Sequence, residues 1–329
     1  MDSSHFLRAF LRGIETGTVA AGVLFFGLSP FARAADWPTK PIRFIVGASP
    51  DVLPRLVGQK LTDVWGQQIV VDQRPGAGGI IAGELVAKSL PDGYTWLLST
   101  GANTTQVALH SKLPYDFVRD LAPVALMATI PFALAVHPSV QASSVEELIK
   151  LARAQPGKLN YASGGTGTTS HLAGELFKSM AKVNIVHVPY KSVAPGVVDL
   201  IGGQVQMMFA VMQSALPHVK AGRLKALAVS SAKRTSSAPD LPTIAEAGVP
   251  GYEFVSWNAV HVPAGTPKTV IRTIHRELMK VLALPDVKER MFGLGLEVAG
   301  DTPEKLDALV RSDIAKWSKV IKEAGIKAE

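Results

Sequence analysis

The chain has 329 residues, a formal net charge of +7 and no cysteine. Without cysteine there can be no disulfide, no thiolate catalysis, no cysteine-based metal site and no lipid attachment at a signal junction. The basic excess suits an anionic small molecule, but Lys and Arg are scattered and form no run of the kind that tracks nucleic acid.

Residues 1–34 read as a secretory signal. Arg8 and Arg12 supply a positive start, Val19 to Leu28 an apolar core, and Ala32-Arg33-Ala34 a small-x-small cleavage site before Ala35. The apolar run is far shorter than the roughly twenty residues of a membrane span. Removing the segment takes away Arg8, Arg12, Arg33, Asp2 and Glu15, and the charge falls to +6. No later segment approaches spanning length, so the mature protein is expected to diffuse freely after export. It exceeds a comfortable single core, and two lobes are the expected solution.

Strands and helices then alternate. Ile42–Val46 reads as a strand, Asp51–Trp65 as a helix, Ile69–Asp72 as a strand, and Arg74-Pro75-Gly76-Ala77-Gly78-Gly79 as a turn into a helix over Ile80–Ser89. After the turn Pro91–Tyr94 comes a strand at Thr95–Ser99. A second set follows, with strands at Phe132–Val136, Leu159–Ala162, Val183–Val188, Val205–Phe209 and Leu224–Ser230. Its helices fall at Val145–Ala154, Ser170–Met180, Ala194–Ile201 and Ser214–Lys220. Beyond Tyr252–Val262 the chain turns helical at Lys268–Val281, Pro285–Phe292 and Pro303–Ala324. Apolar strands between amphipathic helices point to an α/β fold, each lobe a mostly parallel sheet flanked by helices. The C-terminal helices return to the first lobe, so lobe one takes residues 35–134 plus 256–329 and lobe two residues 135–255.

Parallel sheets bind ligands at the carboxyl ends of their strands. Three connections qualify, Gly47–Pro50 and Ser99–Thr105 from lobe one and Ser163–Ser170 from lobe two, and together they describe a cleft between the lobes. The third carries the most information. A strand passes through Gly164, Gly165 and Gly167 into a helix N-terminus, whose unpaired N–H groups favour anions. Thr166, Thr168, Thr169 and Ser170 add short donors. The absence of Lys and Arg there favours a carboxylate over a polyphosphate. A surface loop with a good N-cap is the other reading of this segment.

Catalytic patterns are missing. Gly76-Ala77-Gly78 begins like a dinucleotide fingerprint, but the third glycine position is Ile81. There is no phosphate-loop lysine motif, no G-x-S-x-G elbow and no HExxH, so no catalytic residue, metal site or cofactor is assigned. His171, in the first turn of its helix, is the one suggestive histidine, and a cleft hydrolase or lyase would have to rely on it. Arg74 beside the glycines could contact an anion, but a salt bridge between helices is the favoured use. The tryptophans read first as packing residues, though Trp257 at the second crossing could line the cleft; Tyr190 beside Lys191 could donate to a ligand or be a core tyrosine with a satisfied hydroxyl.

Taken together, several segments resemble the periplasmic solute-binding receptors of tripartite tricarboxylate transporters, the Bug receptor family. They are Lys40–Arg43, Arg74–Gly79, Pro91–Tyr94, Leu113–Asp116, Tyr161–Leu172, His187–Lys191, Gly203–Phe209, Ala226–Val229 and Ala264–Pro267. The resemblance implies a two-lobed type II periplasmic-binding fold that closes by hinge motion. It also implies a monomer that captures a small organic carboxylate in the periplasm and delivers it to the membrane subunits of a carrier. The ligand-binding residues it implies are Ser49, Ser99, Thr100, Gly101, Asn103 and Thr104 in lobe one. In lobe two they are Ser163, Gly164, Gly165, Thr166, Gly167, Thr168, Thr169, Ser170 and Tyr190. A receptor acting as the ligand-sensing partner of a membrane sensor is the alternative.

Two departures from the family pattern stand out. Only Gly47-Ala48-Ser49-Pro50 separate Val46 from Asp51, a shorter connection than the family's Pro- and Gly-rich one. Asp51 is expected to cap the following helix, with Pro54 harmless in its first turn. The lobe-one grip loses donors, each worth about 1.5–3 kcal/mol toward a charged ligand. Ala210 stands where the pattern expects an aspartate, which argues against an amino-acid ligand held through its ammonium.

Overall fold

The computed structural model describes residues 37–47 and 49–326. Residues 1–34, read above as a secretory signal, lie outside them. In chain order the elements are β1 (Ile42–Val46), α1 (Val52–Trp65), β2 (Ile69–Gln73), α2 (Ile80–Ala87), β3 (Thr95–Thr100), α3 (Gly101–Leu109), β4 (Leu121–Val136), α4 (Val145–Ala154), β5 (Asn160–Ser163) and α5 (Thr169–Ala181). They continue as β6 (Val186–Pro189), α6 (Val193–Ile201), β7 (Met207–Val211), α7 (Met212–Lys220), β8 (Lys225–Val229), β9 (Val255–Pro263), α8 (Lys268–Ala283), α9 (Pro285–Gly293), β10 (Glu297–Asp301) and α10 (Pro303–Ala324).

The strands run in the order β2-β1-β3-β9-β4-β7-β5-β6, with β8 and β10 also paired to β4. The outer strands are parallel, β1 with β2 and β3, and β5 with β6 and β7. Every pairing of β4 and β9 is antiparallel, so each half is a mixed sheet rather than a mostly parallel one. The cause is connectivity: β4 enters the second half and β9 returns from it, so the two must run in opposite senses.

β4 is the longest strand and belongs to both halves. Its first part, from Leu121 to Pro131, pairs with β9, and Phe132–Val136 pairs with β7. Sequence patterning finds only the second part, because Pro123 and Pro131 interrupt the first. The ladder accommodates this with register shifts between Pro123 and Ala125 and between Leu126 and Ala128. β10 also escapes sequence patterning, being a short edge strand with Gly300 inside it.

Separate apolar clusters fill the two halves. Ile42, Phe44, Trp96 and Val260 pack under α1 and α8 in the first. Phe132, Tyr161, Phe177, Phe209 and Tyr252 pack in the second. α10 joins them: Leu306 and Val310 pack into the first half, Trp317 and Ile321 into the second.

The region expected to be a loop at Ser99–Thr105 contains no loop. β3 runs to Thr100 and α3 starts at Gly101. A capping box makes the switch: the Thr100 hydroxyl accepts from Ala102 N at 3.2 Å, and Asn103 Oδ1 accepts from Thr100 N at 2.8 Å. Asp51 precedes α1 but makes no side-chain cap. Its carboxylate turns to Arg55 at 2.7 Å, and Arg55 and then Gln73 hold its pKa below the usual carboxylate range.

Candidate functional site

Near the end of β3 and at the end of β5 stands a serine whose hydroxyl is 2.6 Å from a histidine nitrogen. Ser99 meets His261 Nδ1, and Ser163 meets His187 Nε2. Burial pulls the pKa of His261 down to about 3. These serines anchor the strand ends from which α3 and α5 depart, and their hydroxyls are thereby engaged inside the protein.

The glycine connection in the second half is also tied to itself. Gly164 N donates to Ser170 Oγ at 3.0 Å, Gly165 N to Ser163 Oγ at 3.1 Å, and Gly167 N to His171 Nδ1 at 3.1 Å. Thr168 Oγ1 donates to Gly165 O at 2.6 Å. Gly165 and Gly167 have φ of 122° and 76°, a region that favours glycine. These amides, expected to face an anion, therefore close the loop. The free donors shift to the first turn of α5, to which the Thr168 side chain gives no capping bond.

His171 is 4% exposed and stacks on His187 with ring centroids 3.9 Å apart. Burial, with Lys178 nearby, pulls its pKa down to about 4. Its Nδ1 accepts from Gly167, and the side chain braces the loop from beneath rather than facing the cleft.

A cavity of about 200 Å³ lies between the two halves. Of the residues expected at the site, it brings together Ser49, Thr100, Asn103, Gly164, Thr168, Thr169 and Ser170. Ser99, Gly101, Thr104, Ser163, Gly165, Thr166, Gly167 and Tyr190 lie outside its lining. Thr104 Oγ1 donates to Gly101 O at 2.8 Å. The Tyr190 hydroxyl donates to Asp199 at 2.7 Å, and burial followed by that carboxylate pushes its pKa up to about 12.

Other expected roles resolve elsewhere. Trp257 is 1% exposed, and its indole donates to Asp313 on α10 at 2.7 Å. Arg74 pairs with Asp72 at 3.0 Å, not with a helix. Ala210 is 1% exposed and sits opposite Ala133 within an apolar cluster. It is outside the cavity lining.

Sequence reasoning placed Gly47 in a candidate connection and Lys191 beside Tyr190 without assigning either a ligand, and it missed Gly78, Gly79, Gln106, Ser192 and Val193; all of these line the cavity. The lining includes the N-caps of four helices: Gly79 of α2, Thr100 of α3, Thr168 of α5 and Ser192 of α6. Three of them, Gly79, Thr168 and Ser192, provide no side-chain cap. The starts of α5 and α6 present orphan N–H groups and a partial positive charge, whereas α2 continues from a 3-10 turn over Ala77–Gly79 and its Ile80 N–H already donates to Ala77 O. Among the described residues no carboxylate lines the cavity, and its one charged side chain is Lys191. An ammonium ligand would find no counter-ion there, whereas a carboxylate would find donors on both sides.

Among the described residues no group of His, Asp and Glu could hold a metal ion, and no helix is long and apolar enough to cross a membrane.

The profile described as the tripartite tricarboxylate transporter family receptor matches residues 53–326. A protein from the tcbD–tcbE intergenic region of Pseudomonas sp. strain P51 is 40% identical, over 97% of both chains. The structure of R. palustris Rpa4515 with adipate is similar at a TM-score of 0.82 and 38% identity, covering 89% of this chain and 99% of that one. MatC from Rhodopseudomonas palustris with bound malate is similar at a TM-score of 0.77 and 29% identity, covering 86% and 99%.

Proposed function

The chain belongs to the tripartite tricarboxylate transporter receptor family, and we propose that it captures a small organic carboxylate in the cavity between its halves. The observation that carries this reading is the convergence of four helix N-termini, three without a side-chain cap, on a cavity with no acidic lining residue among those described. Adipate and malate, bound by the two structural relatives, are carboxylates of a size such a cavity suits.

The binding step is a closure. Lobe one comprises residues 35–134 and 256–329, lobe two residues 135–255, and the strand crossings at β4 and β9 form the hinge. α2 and α3 donate from one side, α5 and α6 from the other. An anion that bridges them binds the closed form more tightly than the open one and shifts the population toward it. Residues 1–34 direct export and are removed, and the receptor works as a monomer in the periplasm. There it hands its ligand to the membrane subunits of a carrier.

Thermal unfolding of the protein with and without dicarboxylates, aromatic acids and amino acids tests the reading. A carboxylate at a hundred times its Kd adds about 2.7 kcal/mol of stability and raises Tm by a few degrees. A folded protein whose Tm responds to none of these, or to amino acids alone, contradicts it.

A further inference from the structure

The cavity contains two polar side chains that its helix termini do not account for. Gln106, on α3, is 7% exposed and lines the cavity. It sits where the two halves meet: a Cβ on Gly78 would collide with this amide, and a Cβ on Gly167 would lie 3.8 Å from its Nε2. An amide at the cavity wall offers both a donor and an acceptor to a ligand there. Lys191 lies just before the N-cap of α6. Among the described residues its ammonium forms no ion pair, and it carries the cavity's one formal charge.

A monocarboxylate needs only the neutral donors of the helix termini. A lysine without an acidic partner at the same cavity supplies a separate counter-charge. Leu97, Leu98, Ala82 and Val193 add apolar lining that suits a methylene spacer between two charged ends.

Resting on the carboxylate-receptor reading, we propose that Lys191 is the specificity-determining residue. It pairs with a second carboxylate, while the first is held by the helix N-termini with the Gln106 amide, and the receptor thereby selects dianions over monoanions of equal length. This contribution is electrostatic and weakens as salt screens it.

Calorimetric titration of the protein with adipate and with hexanoate tests this, because the two share a six-carbon chain and differ in one carboxylate. Wild type binds adipate more tightly, and the preference shrinks as sodium chloride is raised. Lys191→Met weakens adipate by about tenfold or more and leaves hexanoate within about twofold. Lys191→Arg keeps the preference. Lys191 is exposed, so neither variant disturbs the core. Equal weakening of both ligands in Lys191→Met, no weakening of adipate, or a wild type without preference overturns the assignment to Lys191 alone. A wild type that binds neither these acids nor any other carboxylate overturns the receptor reading and this inference together.

Discussion

Replacing His171 with glutamine should remove a defined part of the protein's sensitivity to acid. His171 lies beneath the glycine connection, accepts a hydrogen bond from Gly167 and stacks on His187. Burial holds its folded pKa at about 4, against 6.5 for the free side chain. Below pH 6.5 the unfolded chain takes up a proton that the native state refuses. Stability is therefore complete above that pH, falls as pH drops toward 4, and levels off below it. Each pH unit across the window is worth about 1.4 kcal/mol per histidine, so pH 5 costs about 2 kcal/mol and pH 4 about 3 kcal/mol from His171. His261, also buried, behaves the same way with a window that extends to about pH 3. Burial raises the pKa of Asp313 and acts in the opposite sense, because its protonation relieves a cost. A comparison of wild type and variant cancels these other groups. Urea denaturation of both at pH 7 and pH 5 should show the wild type losing about 2 kcal/mol more than His171→Gln. Parallel losses would refute the placement of a neutral, desolvated His171 under the loop.

Ser192→Asp should stabilise the protein by up to about 1 kcal/mol in urea, by capping α6, while weakening carboxylate binding more than tenfold by calorimetry. Asn103→Ala removes the acceptor for Thr100 N and should cost about 1 kcal/mol in the same denaturation assay. A side chain at Gly174 would run into the Tyr161 ring, so Gly174→Val should lower stability by about 3 kcal/mol or more, read as a drop in Tm.

The fold was largely legible where apolar runs alternate with amphipathic helices, and α10 begins and ends where its pattern does. α3 was not, because its buried face is polar: Asn103, Thr104, Thr105 and Gln106 are all buried. Hydrophobic periodicity cannot register such a helix, though the Thr100–Asn103 capping box is visible as residue types at the right spacing. The first part of β4 hid behind two prolines that bulges absorb. The Ser163–Ser170 segment showed a helix start but not which amides stay free. That division depends on Ser163, Ser170 and His171 folding back to satisfy the glycines. Gln106, Gly78 and Lys191 meet only through tertiary packing. The Arg74–Gly79 and Tyr190-Lys191 motifs marked their neighbourhoods without revealing that they share one cavity.

On the proposed function, uncapped helix starts in the cavity hold a carboxylate. A crystal structure of the protein grown with adipate tests it most directly. One carboxylate should lie within hydrogen-bond distance of first-turn amides of α5 or α6 and of a donor from α2 or α3. Adipate bound elsewhere on the protein, or in the cavity with its carboxylates directed away from these helix starts, would contradict it.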